Sequence, residues 1–213
     1  MVNSTANRIG IKVKSFVSQS QCEGLYLIPP SDRGAVAIMI DVGYYITDVC
    51  VFSGDALLYS SSLYVGGSHM TKDLAQVLEI GNEHAEQLRR QYTFGIDAGG
   101  SAVDYVRMPD GKLQPFEHAL VGQIIQARME ETINLISETI SACGMDIKED
   151  TKVYLTGDGF APMSGSREYL SSLIGMPVPG MPIDISDGTT KRDTTALSLV
   201  DRLYKQEGKA NKG

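Results

Sequence analysis

The sequence predicts an α/β fold: a mixed sheet flanked by helices, with a small inserted α+β lobe. Two observations carry this. Three apolar, β-prone runs, at 36–40, 46–52 and 57–65, follow one another across two short breaks, Asp41-Val42-Gly43-Tyr44-Tyr45 and Ser53-Gly54-Asp55. Close antiparallel strands joined by tight turns read this way. Further on, helical and extended patterns alternate: a long helix over 117–143, a strand over 152–156, a helix over 166–174, an extended stretch over 177–185 and a last helix over 193–204. Strands interleaved with helices argue for a sheet covered by helices.

The elements follow in order. Residues 1–8 are polar and read as frayed. Over 9–17, Ile11, Val13, Phe16 and Val17 alternate with Lys12, Lys14 and Ser15, which predicts a half-buried strand near a sheet edge. Cys22, Leu25 and Tyr26 share a helical spacing within 18–28, and Pro29-Pro30 ends that helix. After the three strands, Gly66-Gly67 reads as a flexible corner. Ser68 is the expected N-cap of a helix over 68–78 with Met70, Leu74, Val77 and Leu78 on one face. Asn82 is the expected cap of a helix over 83–92, with Ala85 and Leu88 inward. Segments 104–108 and 112–116 flank Pro109-Asp110-Gly111 as a small hairpin. Residues 79–116 are read as the inserted subdomain, between 1–78 and 117–205. Within 117–143, Val121, Ile125, Met129, Ile133, Ile136, Ile140 and Cys143 recur every three or four residues, and Gly144 stops the helix. Gly157-Asp158-Gly159 is a tight turn. The tail, 206–213, is expected to be disordered.

Composition bounds the function. The chain has 213 residues and 23.1 kDa, with 42% apolar and 21% charged residues, which is ordinary for a globular protein with a sizeable core. A net charge of −7 argues against a nucleic-acid partner. Cys22, Cys50 and Cys143 are scattered, so a zinc site is not expected and a reducing cytosol is. Cys50 reads as a small core residue. Residues 1–9 lack an apolar secretory stretch, and no apolar run approaches 18 residues, so no membrane segment is expected. His69, His84 and His118 are dispersed and form no hydrolase-like constellation.

Asp41-Val42-Gly43-Tyr44-Tyr45-Ile46-Thr47-Asp48 resembles the second phosphate-binding hairpin of the actin-like ATPases, whose form is Asp-Ile-Gly-Gly-Gly-Thr-Thr-Asp. Residues 49–67, through a third strand and a Val-Gly-Gly ending, are most similar to the cell-division protein family FtsA, with the pilus-assembly family PilM a near neighbour. Leu155-Thr156-Gly157-Asp158-Gly159 resembles the family's adenosine motif, Leu-Thr-Gly-Gly-Gly. Ala85-Glu86-Gln87-Leu88-Arg89-Arg90 resembles its helix Ala-Glu-x-Ile-Lys, whose acid and base flank the nucleoside. The resemblance covers about residues 9–204 and implies a ribonuclease-H-like fold.

The resemblance further implies ATP and magnesium as ligands. Gly43, Tyr44, Tyr45, Thr47 and Asp48 would lie at the phosphates. Asp41 would be the catalytic residue, polarising the attacking water or holding magnesium indirectly through water. Gly157, Asp158, Gly159, Glu86 and Arg89 would lie at the adenosine. Tyr44 and Tyr45 replace two glycines of the pattern, Ile46 replaces a threonine and Asp158 replaces a glycine. Beside these stand plainer readings: Asp41 as a turn-capping residue at a strand end, 157–159 as an ordinary glycine turn, and Glu86 with Arg89 as a solvated charged face. The matching stretch is the second half of an FtsA-like protein, so the first phosphate loop, the connecting helix and the membrane-targeting helix are expected to be missing, and ATP hydrolysis by this chain alone is expected to be negligible. Two functions remain: the second lobe of an ATP-binding division or envelope-assembly protein, or a degenerate scaffold that binds protein partners. Expected partners are a tubulin-like division protein through 79–116 and a second copy of the chain. The expected location is the cytoplasm, with recruitment to the inner membrane face.

Overall fold

The three apolar runs become β1 (Val36–Val42), β2 (Thr47–Ser53) and β3 (Ala56–Leu63), paired antiparallel in sequence order. In this computed structural model, which describes residues 2–13, 15–95, 102–180 and 194–210, β6 (Lys152–Thr156) joins β1 in parallel to give the order β3-β2-β1-β6. The sheet is mixed, as expected. Its inner strands are continuous apolar runs because both faces are covered. Side chains alternate between the faces. Ile38, Ile40, Val49, Val51, Val153 and Leu155 enter a large core beneath the long helices. Ala37, Met39, Cys50, Phe52 and Tyr154 enter a smaller core with Leu27 and Ile28. Cys50 is a core residue, as read from sequence.

The helices are α1 (Val2–Arg8), α2 (Gln19–Leu27), α3 (Pro30–Arg33), α4 (Gly67–Val77), α5 (Asn82–Gln91), α6 (His118–Ala142), α7 (Ser166–Ile174) and α8 (Thr194–Ala210). Helix α6 buries Val121, Ile125, Met129, Ile133, Ile136 and Ile140 along one stripe, the face its spacing predicts. Arg128 on α6 donates to both carboxylate oxygens of Asp73 on α4, at 2.5 and 2.9 Å. Strands β4 (Val103–Arg107) and β5 (Leu113–Glu117) form a separate two-stranded sheet. It is held by Val106 and Phe116 in the large core and by His118, which sits 3.0 Å from Asp104 and stacks on Tyr92.

Several sequence expectations fail. Residues 2–8 are helical, closed by Ile9 and Ile11 amides donating to Ala6 and by Gly10 at φ 77°. Among the described residues of 9–17 there is no strand, and Ile9 and Phe16 are each 69% exposed. Alternation makes a strand only beside a partner, and among the described residues the sheet runs from β3 to β6 without pairing this segment. Gly66, not Ser68, caps α4: its N–H donates to His69 Nδ1. Gly81, not Asn82, caps α5, its carbonyl accepting from His84 and Ala85. Helix α8 runs to Ala210, past the predicted end at 204. The part of the extended stretch at 181–185 lies outside the described residues, as does 211–213.

Candidate functional site

The β1–β2 register pairs Val42 with Thr47, which leaves Gly43 to Ile46 as a four-residue loop. Gly43 N–H donates across the loop to Ile46 O at 2.8 Å. The carbonyls of Gly43 and Tyr44 turn toward α4 and accept from Gly67 and Ser68 N–H at 3.0 and 2.7 Å. A helix start has orphan N–H groups to satisfy, and here the loop satisfies two of them. This removes the need for Ser68 as a cap, and its Oγ is buried without a partner. The N–H groups of Tyr44, Tyr45 and Ile46 take no backbone acceptor among the described residues. The two tyrosine rings are exposed and pack edge-on, centroids 4.7 Å apart.

Thr47 points the other way. It is fully buried, and its hydroxyl donates to Val65 O at 2.8 Å. Asp48 accepts from Ser62 Oγ and lies opposite Asp41 in the register. Asp41 is the last residue but one of β1 and lies beside Thr156 of β6. Burial, and then the carboxylates of Glu23, Asp48 and Asp158, push its pKa up to about 7. It therefore exchanges a proton near neutrality.

Three stretches interlock here through glycine. Gly157 has φ 88°, and a Cβ there would lie 2.3 Å from both Asp41 Oδ1 and Val42 O. Gly159 donates to Val42 O at 2.6 Å. A Cβ at Gly159 would meet Gly43 O at 2.8 Å, one at Gly66 would meet the same oxygen at 2.5 Å, and one at Gly67 would meet Gly159 Cα at 3.0 Å. Backbone thus lies on backbone among the hairpin, the start of α4 and the 157–159 turn. These contacts account for Gly66-Gly67, which sequence reading took for a loose corner.

Helix α5 locks the turn from behind. Arg89 is only 1% exposed. Its Nη1 donates to Gly159 O at 2.5 Å and to Asp158 O at 3.3 Å, while Nε and Nη2 donate to Glu86 at 2.9 and 2.7 Å. Glu86 also accepts from Thr71 Oγ1 and Arg90 Nε, each at 2.6 Å. Burial raises the Glu86 pKa, but the hydrogen bonds from Arg89, Thr71 and Arg90 outweigh it and hold it down at about 2. The solvated-face reading of Glu86 and Arg89 is therefore wrong. The sequence motifs containing Asp41, Gly43, Gly157, Asp158, Gly159, Glu86 and Arg89 do meet in space. Thr47 and the tyrosine side chains diverge from them. Sequence reading missed Glu23 and Thr71, which carry no local signal.

A family model described as Cell division protein FtsA matches residues 38–191. The FtsA of Agrobacterium fabrum is 30% identical over 191 residues, which is 83% of this chain and 43% of that protein. The chain thus spans under half the length of that relative. Among solved structures, MreB5 of Spiroplasma citri bound to ADP superposes with a TM-score of 0.77 at 14% identity, covering 100% of this chain and 66% of the other. The PilM–PilN type IV pilus biogenesis complex gives 0.64 at 16%, covering 94% and 56%. At these identities the structural likeness carries the fold, which is that of the actin-like ATPases.

Proposed function

Because this chain belongs to the FtsA family, we propose that it supplies one wall of a nucleotide site in an actin-like protein acting in cell division or envelope assembly. One observation carries the reading most. The hairpin, the α4 start and the 157–159 turn are locked into a single surface, and the amides of Tyr44, Tyr45 and Ile46 remain without backbone acceptors. Successive backbone N–H groups left free in a turn suit a polyphosphate. Asp41, exchanging a proton near pH 7, is suited to orient water beside them. Among the described residues no three His, Cys, Asp or Glu side chains are grouped to hold a metal, so magnesium would reach Asp41 through water and take its remaining oxygens from the nucleotide. Arg89 has its donors engaged on the turn, so its role is to position Gly157–Gly159 for the nucleoside.

Titration calorimetry with ATP and magnesium tests this. Saturable binding, without hydrolysis above buffer, is expected of this chain alone. Turnover above buffer that Asp41→Asn abolishes would overturn the second half of that expectation.

A second reading, a non-catalytic scaffold, is favoured by the engaged Gly43 N–H, the inward Thr47 hydroxyl and the exposed tyrosine pair. If the wild type binds no nucleotide and the Tyr44→Gly/Tyr45→Gly variant does, the scaffold reading stands. In either case the surface offered to partners includes the 79–116 stretch, which exposes Val103, Tyr105 and Leu113. Its expected partner, by family resemblance, is a tubulin-like division protein. No helix among the described residues is long and apolar enough to cross a membrane, so membrane recruitment would run through partners or additional chain.

A further inference from the structure

A cavity of about 320 Å³ lies against α2 and α8, at the end of the sheet away from the 43–46 hairpin. Arg33, just before β1, and Asp55, in the β2–β3 turn, both line it. The seven residues of β1 put its Arg33–Asp55 end roughly 20 Å from the hairpin, while Cys22 on its α2 side adjoins Glu23, whose charge is felt by Asp41. The other lining residues include Cys22, Leu25, Asp201, Arg202 and Lys205.

The charges in this wall do not balance. Arg33 is almost fully buried; its Nη2 pairs with Asp55 at 2.9 Å and its Nη1 donates to the carbonyls of Leu25 and Ile28. Lys205 pairs with Asp201 at 2.6 Å. Arg202 is left over. It forms no hydrogen bond and no ion pair among the described residues, and its Nε is shut off from solvent without an acceptor. Arg33 Nε is in the same condition. An Nε closed to solvent is closed to a solute as well, so the donors that can face the cavity are Nη1 and Nη2 of Arg202, which take no acceptor among the described residues. A guanidinium fork matches the oxygens of a carboxylate or phosphate. Cys22 and Leu25 add an apolar patch, and burial raises the Cys22 thiol pKa, so the thiol serves as wall and not as nucleophile. The volume falls at the small end of ligand cavities.

We propose that this α2–α8 cavity binds the oxyanion group of a small molecule, with Arg202 as its principal contact and Arg33 as the buried support behind it. The residues that line it are distinct from those of the nucleotide wall.

The test titrates the 213-residue chain with inorganic phosphate, with succinate and with sodium chloride at matched ionic strength, following thermal midpoint and calorimetric heat. Saturable binding of phosphate or succinate is expected, and the tighter of the two identifies the headgroup. Arg202→Gln should weaken it about tenfold or more, the loss of one charge-assisted pair. Lys112→Gln, which removes one charge from the exposed β4–β5 turn, should leave affinity unchanged. If Arg202→Gln does not fold by circular dichroism, Arg202→Lys takes its place and should weaken binding by losing the fork. Equal effects from sodium chloride, equal losses in the Arg202 and Lys112 variants, or affinity indifferent to Arg202 would overturn the proposal. Nucleotide binding measured on the same Arg202 variant should be unchanged, which keeps this outcome apart from that of the candidate nucleotide wall.

Discussion

Asp41 carries a proton across much of the acidic range because its surroundings resist charge. Below about pH 4 the group is protonated in both folded and unfolded chains. Between there and about pH 7 only the folded chain holds the proton, and above about pH 7 the fold bears a half-buried anion among other carboxylates. Stability from this group therefore falls as pH rises. Asp41→Asn should stabilise the protein by roughly 2–4 kcal/mol at pH 8 and by almost nothing at pH 4, read from urea midpoints at the two pH values. Glu86 runs the opposite way. Its pKa is held at about 2, so its contribution is present above about pH 4.5 and is lost as pH falls toward 2. Arg89→Ala would leave the carbonyls of Asp158 and Gly159 without their side-chain donor and Glu86 with only Thr71 and Arg90; a loss of about 3–5 kcal/mol is expected, again from chemical denaturation. That arginine was legible as a motif residue but not as a buried one. Three charged neighbours within Glu86 to Arg90 look solvated in one dimension, and only the turn arriving from residue 157 shows otherwise.

Elements with strong internal periodicity were readable. Strands β1, β2 and β6 and helices α6 and α7 follow their predicted bounds within a residue or two, since burial on both faces or along one stripe leaves its mark locally. The caps were not readable. Ser68 looks like an N-cap until the carbonyls of Gly43 and Tyr44, more than twenty residues earlier, take the amides of Gly67 and Ser68 and the helix starts ahead of it. Hydrogen exchange can test this: the Gly67 and Ser68 amides should be protected to nearly the degree of β1, unlike ordinary first-turn amides. Glycines separate in the same way. Gly175 closes α7 at φ 71° with open space around its Cβ position, so Gly175→Ala should cost about 1–2 kcal/mol. Gly157→Ala adds backbone collision to the same strain and should cost several-fold more, or prevent folding; thermal melts of the two variants give the comparison.

At the scale of the whole molecule, the order of strands and helices was enough to place the chain in its fold class, while the fate of 9–17 was not. Its alternating residues stand exposed, and nothing in such a pattern states which edge would receive it. The hairpin and α4 also have a mechanical consequence. Gly43 and Tyr44 hold the first amides of α4; α4 grips α6 through Asp73 and Arg128; Arg89 ties the turn to α5, which is braced in turn by Thr71 of α4. The loop tip is thus one corner of a closed truss. A displacement at that tip has no slack joint beside it: it bears directly on the start of α4 and, through Asp73 and Arg128, on the long helix.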